Sequence, residues 1–236
     1  MKPMPRMVLV VATLLLTAIG APPAMSATTV GVIDPFPTGR VPGQINVTGD
    51  NGKNRITVEW STKRRALIVE DIQRIESERC DRLAAKKVSC PFQYEVLDID
   101  AEKGRDQIVV RRETTRFDEL FIDGGPGSDH ILGSDGVDFI DGGQGNDRLR
   151  GRGAGDFLNG DDLLGKKGGD DVVRGGAGGD WLGDSNDRGS DFFYGEAGRD
   201  LIDAKDGFVD RMINGGPGKD ECNVEPKDPK PVRCER

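Results

Sequence analysis

Between residues 124 and 159 an aspartate recurs every ninth residue, at Asp129, Asp138, Asp147 and Asp156. Glycines crowd the positions before each one. A large aliphatic follows two positions later, at Ile131, Ile140, Leu149 and Leu158. Glycine-lined turns can take φ > 0 and leave carbonyl oxygens uncovered. The aspartate adds a charged oxygen at a fixed place. Carbonyl and carboxylate together make oxygen-only ligation, the chemistry of a hard cation.

Other chemistry is sparse. The only histidine, His130, falls at an outward repeat position, and the chain lacks HExxH and GxSxG. The repeat already accounts for the paired aspartates as ligands, so no catalytic residue and no enzymatic activity is expected. Residues 121–214 hold 20 acidic and 10 basic side chains, and 24 of the 34 glycines. That excess of 10 acidic side chains more than accounts for the chain's net charge of −8, which argues against nucleic acid and for a cation.

The period is nine. GGPGSDHIL (124–132), GSDGVDFID (133–141), GGQGNDRLR (142–150) and GRGAGDFLN (151–159) share one register. Six extra residues (160–165) precede KKGGDDVVR (166–174) and GGAGGDWLG (175–183). Two more precede NDRGSDFFY (186–194) and GEAGRDLID (195–203). Residues 204–214 are degenerate. GGPGKDECN (215–223) places Cys222 at the aliphatic position. Weaker echoes lie at 49–57, with Asn54 at the sixth position, and at 101–109, with Gly104, Asp106 and Ile108.

This pattern resembles the RTX, or haemolysin-type, calcium-binding repeat, GGxGxDxUx with U a large aliphatic. The resemblance implies an all-β parallel β-roll. Each unit gives one turn and one short strand, two units make a coil of 18 residues, and Ca2+ sits between turns on each edge. The implied ligand turns supply Gly124, Gly125, Gly127 and Asp129; Gly133, Gly136 and Asp138; Gly142, Gly143, Gly145 and Asp147; Gly151 and Asp156. Further along they supply Asp171; Gly175, Gly176, Gly178 and Asp180; Asp191; Gly195, Gly198 and Asp200; and Asp220. One aliphatic per unit is a thin interior, so the repeats should stay largely unfolded without calcium.

The elements around the repeats complete the organisation. Residues 1–27 read as a secretory signal peptide: Lys2 and Arg6, then the apolar run Val8–Ile19, then small residues to Ala27. Secretion is expected, with no membrane span. Residues 28–120 read as a β-rich N-terminal extension capping the solenoid, with an independent domain as the alternative. Its strand-like runs are 56–60, 66–72, 94–100 and 106–112, and residues 72–87 read as a loop tied by cysteines. Residues 121–214 are the repeats, and 215–236 the last repeat with a C-terminal cap. Within the strands the seventh position should face outward. Phe139, Phe157, Trp181 and Leu201 then line one sheet, a surface for self-association or a glycan. His130, Arg148, Val172, Phe192 and Arg211 line the other. The chain thus reads as a secreted calcium-binding scaffold, or alternatively as a calcium-stabilised adhesin using the aromatic face.

Four cysteines fall in two close pairs, and export favours two local disulfides. Zinc is the competing reading, but the spacings do not fit CxxC and His130 is remote in sequence. Thiol titration of the denatured protein should find no free thiol. Peptide mapping should join Cys80 to Cys90 and Cys222 to Cys234; a cross-link between the pairs would break this organisation.

Overall fold

The computed structural model describes residues 27–33, 44–77, 80–91, 96–111, 114, 117, 119–161, 168–183 and 189–235. The expected leader lies outside these apart from Ala27, which opens the first strand. Among the described residues every regular element is a β-strand. Ahead of the repeats come β1 (Ala27–Ile33), β2 (Gln44–Thr48), β3 (Arg55–Ser61), β4 (Ala66–Glu70), β5 (Arg74–Ser77), β6 (Asp81–Ala84), β7 (Lys87–Pro91), β8 (Val96–Asp100) and β9 (Gln107–Val110). The coils continue with β10 (Glu119–Asp123), β11 (His130–Leu132), β12 (Asp138–Asp141), β13 (Arg148–Gly153), β14 (Phe157–Asn159) and β15 (Val172–Gly178). They end with β16 (Trp181–Gly183), β17 (Phe192–Gly198), β18 (Leu201–Asp203), β19 (Met212–Asn214) and β20 (Glu221–Asn223).

From β8 onward, successive strands alternate between two sheets. The first runs β20-β18-β16-β14-β12-β10-β8-β2-β1-β5, the second β19-β17-β15-β13-β11-β9-β3-β4-β7-β6. Pairing from β8 and β9 to the C-terminus is parallel, as a β-roll requires. Antiparallel pairs join β1 to β2, β3 to β4, β4 to β7 and β6 to β7.

The interior thins along the axis. β8 and β10 each turn two residues inward, Leu97 with Ile99 and Leu120 with Ile122, all buried. The later strands bury one apolar side chain apiece at the same register: Ile140, Leu158, Leu182 and Ile202 in the first sheet. Ile131, Leu149, Val173, Phe193 and Ile213 face them from the second. Cys222 takes the next place after Ile202 and is held by its disulfide to Cys234. The final segment then follows the path of a further coil. Val232 bridges Asn214, and Glu235 bridges Glu221, both in parallel.

The structure changes several sequence expectations. Residues 72–87 are not a loop: they contain β5 and β6. The Cys80–Cys90 disulfide ties β7 to the start of β6. A strand there satisfies backbone groups that a loop beside a sheet edge would leave unpaired. The outward residue of β19 is Met212, not Arg211. Asp191 O accepts from the N–H groups of both Arg211 and Met212, so Arg211 is an extra residue ahead of the strand. The insertion after Asn159 does not switch sheets, because Phe157 still pairs with Trp181.

Glycine has two separate uses in the turns. The second-position Gly125, Gly143 and Gly176 have positive φ. The first-position glycines do not; they are needed for space. Gly145, at the fourth position, meets both demands. Its φ is +128°, and a Cβ there would lie 1.4 Å from Gly127 O of the preceding coil. Gly207 has φ +101° but nothing within 4 Å of its would-be Cβ. Gly207→Ala should therefore cost only the left-handed penalty of about 1–2 kcal/mol. Gly145→Ala should cost about 3 kcal/mol or more, because the coils must also separate. Urea denaturation checks the ranking, and equal losses would show that coil stacking is not the constraint.

Candidate metal centre

Each edge of the roll carries one column of aspartates, joined by a repeated hydrogen bond. On the edge leading from the first sheet to the second, the Asp106 N–H donates to Asp129 Oδ1 and the Asp129 N–H to Asp147 Oδ1, both 2.6 Å. The series continues through Asp171, Asp191, Asp210 and Asp228. On the opposite edge Asp138, Asp156, Asp180, Asp200 and Asp220 are joined in the same sense. Two nine-residue units complete a coil, so the sixth residue of each unit lies one coil from its counterpart two units on, and the peptide of one rung reaches the carboxylate of the next.

That bond occupies Oδ1 only. The Oδ2 atoms of Asp106, Asp129, Asp147, Asp156, Asp180, Asp200, Asp210 and Asp220 are buried and accept no hydrogen bond. A buried carboxylate oxygen without a donor is costly unless a cation meets it. The oxygens are also convergent. A Cβ on Gly142 would lie 2.3 Å from Gly160 O and 3.0 Å from Asp147 Oδ2. On Gly175 it would lie 2.7 Å from Gly195 O and 2.2 Å from Asp180 Oδ2. The same pairing of a carboxylate with the next coil's carbonyl recurs at Gly124, Gly133, Gly151, Gly195 and Gly215. Among the described residues no three His, Cys, Asp or Glu side chains converge on one point. A cation here depends on main-chain carbonyls with few carboxylates, a hard donor set that fits calcium.

Electrostatics report the same deficit of positive charge. Burial pushes Asp147, Asp156 and Asp210 up to about 8, from an ordinary 3.8, and neighbouring aspartates add to the rise. Asp129 is raised by burial to about 7, and Asp106 and Asp180 to about 6. Asp138 also reaches about 7 through burial, although Ser134 and the Arg152 guanidinium pull it down.

The structure assembles the aspartates named from the sequence into these two columns. It treats Asp138 differently: its carboxylate takes both the Ser134 N–H and the Ser134 hydroxyl. Gly136 donates its N–H to that hydroxyl. Sequence reasoning passed over Asp210 and Asp228 as rungs, and noted Asp106 and Asn54 only as echoes. Asp210 is hidden by the extra Arg211, which breaks the nine-residue frame. Asp228 follows no glycine turn. The Asp106 echo was legible, since AEKGRD keeps the glycine and the aspartate at their spacing.

Comparison with curated proteins and with solved structures finds no match for the chain. Four copies of the RTX calcium-binding nonapeptide repeat are matched, over residues 123–158, 167–182 and 187–208. These matches contain most rungs of both columns and the oxygen pairs between them, so residues 123–208 of this all-β chain form an RTX calcium-binding repeat array.

Proposed function

We propose that the protein is secreted, and that its array folds around Ca2+ held in the Gly/Asp turns, acting as an extracellular scaffold or calcium binder. The buried, unpartnered Oδ2 atoms repeated coil after coil carry this reading. On the first edge the ligands are Asp129, Asp147, Asp171 and Asp191 with the glycine carbonyls of their turns. On the second they are Asp156, Asp180, Asp200 and Asp220. A bound divalent ion supplies the positive charge that lets adjacent rungs stay ionised. The chain's own residues orient the oxygens and exclude water. Two disulfides support an oxidising compartment. No helix among the described residues is long and apolar enough to cross a membrane. Non-catalytic action is part of the same reading.

A contact role for the outward face containing Phe139, Phe157, Trp181 and Leu201 is the second reading. Phe157 is 49% exposed. Yet Phe121, Phe139 and Phe157 stack at 5.0 Å, with interplanar angles of 20° and 5°. Rings that stack this way spend their faces on one another, which supports the scaffold over a glycan platform.

Circular dichroism of the chelated protein should show strand content rising as calcium is added, with half-saturation on the order of 0.1–1 mM. Magnesium should fail to substitute, because it demands a smaller octahedral shell. Asp147→Asn keeps an acceptor for the Asp129 N–H but removes the charge, and should raise the calcium midpoint about tenfold. An unchanged midpoint would remove Asp147 from the ligand set.

Acidity should stand in for calcium. The folded-state values near 7 to 8 lie above the unfolded 3.8, so folding takes up protons. The stability these groups contribute is complete below about 4 and is lost as pH rises through 7 to 8. With chelator present the array should therefore melt higher at pH 5 than at pH 8. With calcium the order should reverse, because the metal must displace those protons. Melting followed at 218 nm in both conditions would decide it, and pH-independent melting in chelator would contradict the burial argument.

A further inference from the structure

Both columns begin at a turn whose oxygen atoms are already met by the protein's own donors. On the first edge the rung below Asp106 is Asn54, fully buried, whose N–H donates to Asp106 Oδ1. Its turn follows the repeat geometry. A Cβ on Gly49 would lie 2.6 Å from Ala101 O and 2.9 Å from Asn54 Nδ2. The same point on Gly124 lies 2.5 Å from Gly142 O and 3.0 Å from Asp129 Oδ2. An N–H2 group thus stands where the turns at Gly124, Gly142, Gly175 and Gly195 have a carboxylate oxygen. It donates to Gly52 O at 3.0 Å and Asp50 O at 3.1 Å, and reaches Ala101 O at 3.4 Å. On the opposite side Asn54 Oδ1 accepts from the Asp50 N–H at 3.4 Å, while the single hydroxyl proton of nearby Thr28 goes to the Asp71 carboxylate. Donors aimed at the carbonyls satisfy them and repel a cation.

The second edge reaches the same end with a charge. Asp138 is its first rung, since the residue paired below it is Leu120. Ser134 takes both Asp138 oxygens. Arg152, from the coil above, sends Nη1 back to Val110 O and Gly133 O, 2.7 Å each. These carbonyls belong to successive coils, because Leu132 pairs with Val109. Arg152 occupies the second turn position, usually glycine, and holds φ +97° there. A non-glycine residue keeps such a backbone only where its surroundings impose it.

We propose that the turns at 49–54 and 133–138 are metal-free ends of the array. In them the Asn54 amide and the Arg152 guanidinium take the place of calcium and hold the adjoining coils together without it. The inference rests on the calcium-binding reading of the later turns and sets where that binding starts. It gives the array a calcium-independent seed, continuous with the two-residue-deep interior at β8 and β10, onto which metal-dependent coils add.

Asn54→Asp is isosteric and restores the carboxylate of the later turns. Native mass spectrometry at saturating calcium should count one more ion on N54D than on the wild type. Equal, non-zero counts overturn the proposal; a wild type with no calcium overturns the calcium-binding reading instead. The second arm is read in chelator by hydrogen exchange and so stands apart from that reading. Amides of β11 and β13 should exchange about tenfold faster in R152Q than in the wild type, the weight of charge-assisted hydrogen bonds. R150Q, which loses only the surface pairing of Arg150 with Glu196, should leave them unchanged. Exchange in R152Q equal to that in R150Q overturns the proposal.

Discussion

A peptide N–H held by the aspartate of the next coil is the interaction on which the rest depends. It locks the coils at one vertical spacing, through rungs such as Asp129 to Asp147 and Asp156 to Asp180. It also commits each carboxylate to a column of like charges in a buried position. In rungs such as Asp129, Asp147, Asp156 and Asp180 one oxygen is satisfied and the other is left without a donor. Burial disfavours the charged form, and neighbouring rungs disfavour it further. The array is therefore complete only with a positive partner, either a proton or a divalent cation. The glycines serve this arrangement. Gly142 and Gly175 leave room for the oxygens to converge, and Gly145 lets one turn lie directly on the last.

Hydrophobic burial plays a graded part. At β8 and β10 the interior is two residues deep, and β4, two places beyond β9 in the second sheet, buries four of its five residues. There the antiparallel hairpins and the Cys80–Cys90 bridge add ordinary stabilisation. In the repeats a single inward apolar side chain per strand cannot offset the ordering of nine residues. Stability passes from apolar contact to ligation along the same two sheets. The outer faces contribute stacking, through the phenylalanine column on one side and Arg174 over Tyr194 at 4.1 Å on the other. At the far end Asp228 supplies a last rung, and the Cys222–Cys234 bridge closes the segment that bears it.

Much of this was legible in the sequence, because a solenoid repeats one local solution. The nonapeptide carries its turn, its ligand and its core residue within nine positions, and so the all-β roll, the calcium chemistry and the inward aliphatics all follow from register. The cysteine pairs were also readable, being close in sequence. The rungs outside the frame were not. Asp210 is displaced by Arg211, and Asp228 sits in a proline-rich tail with no glycine turn, so only its place above Asp210 marks it.

The sequence by itself determined the period, the handful of residue types that can occupy each position, and hence the kind of ion the turns suit. Tertiary structure alone decided which of those turns present oxygen and which present a donor. Asn54 and Asp106 read as equivalent echoes, yet one offers Nδ2 and the other a buried, unpartnered oxygen. Arg152 reads as a lapse from glycine, yet it spans two coils to reach Val110 and Gly133. Residues 42 and 19 positions apart in the chain meet there only because the coils stack, and stacking distance is a property no nine-residue window contains.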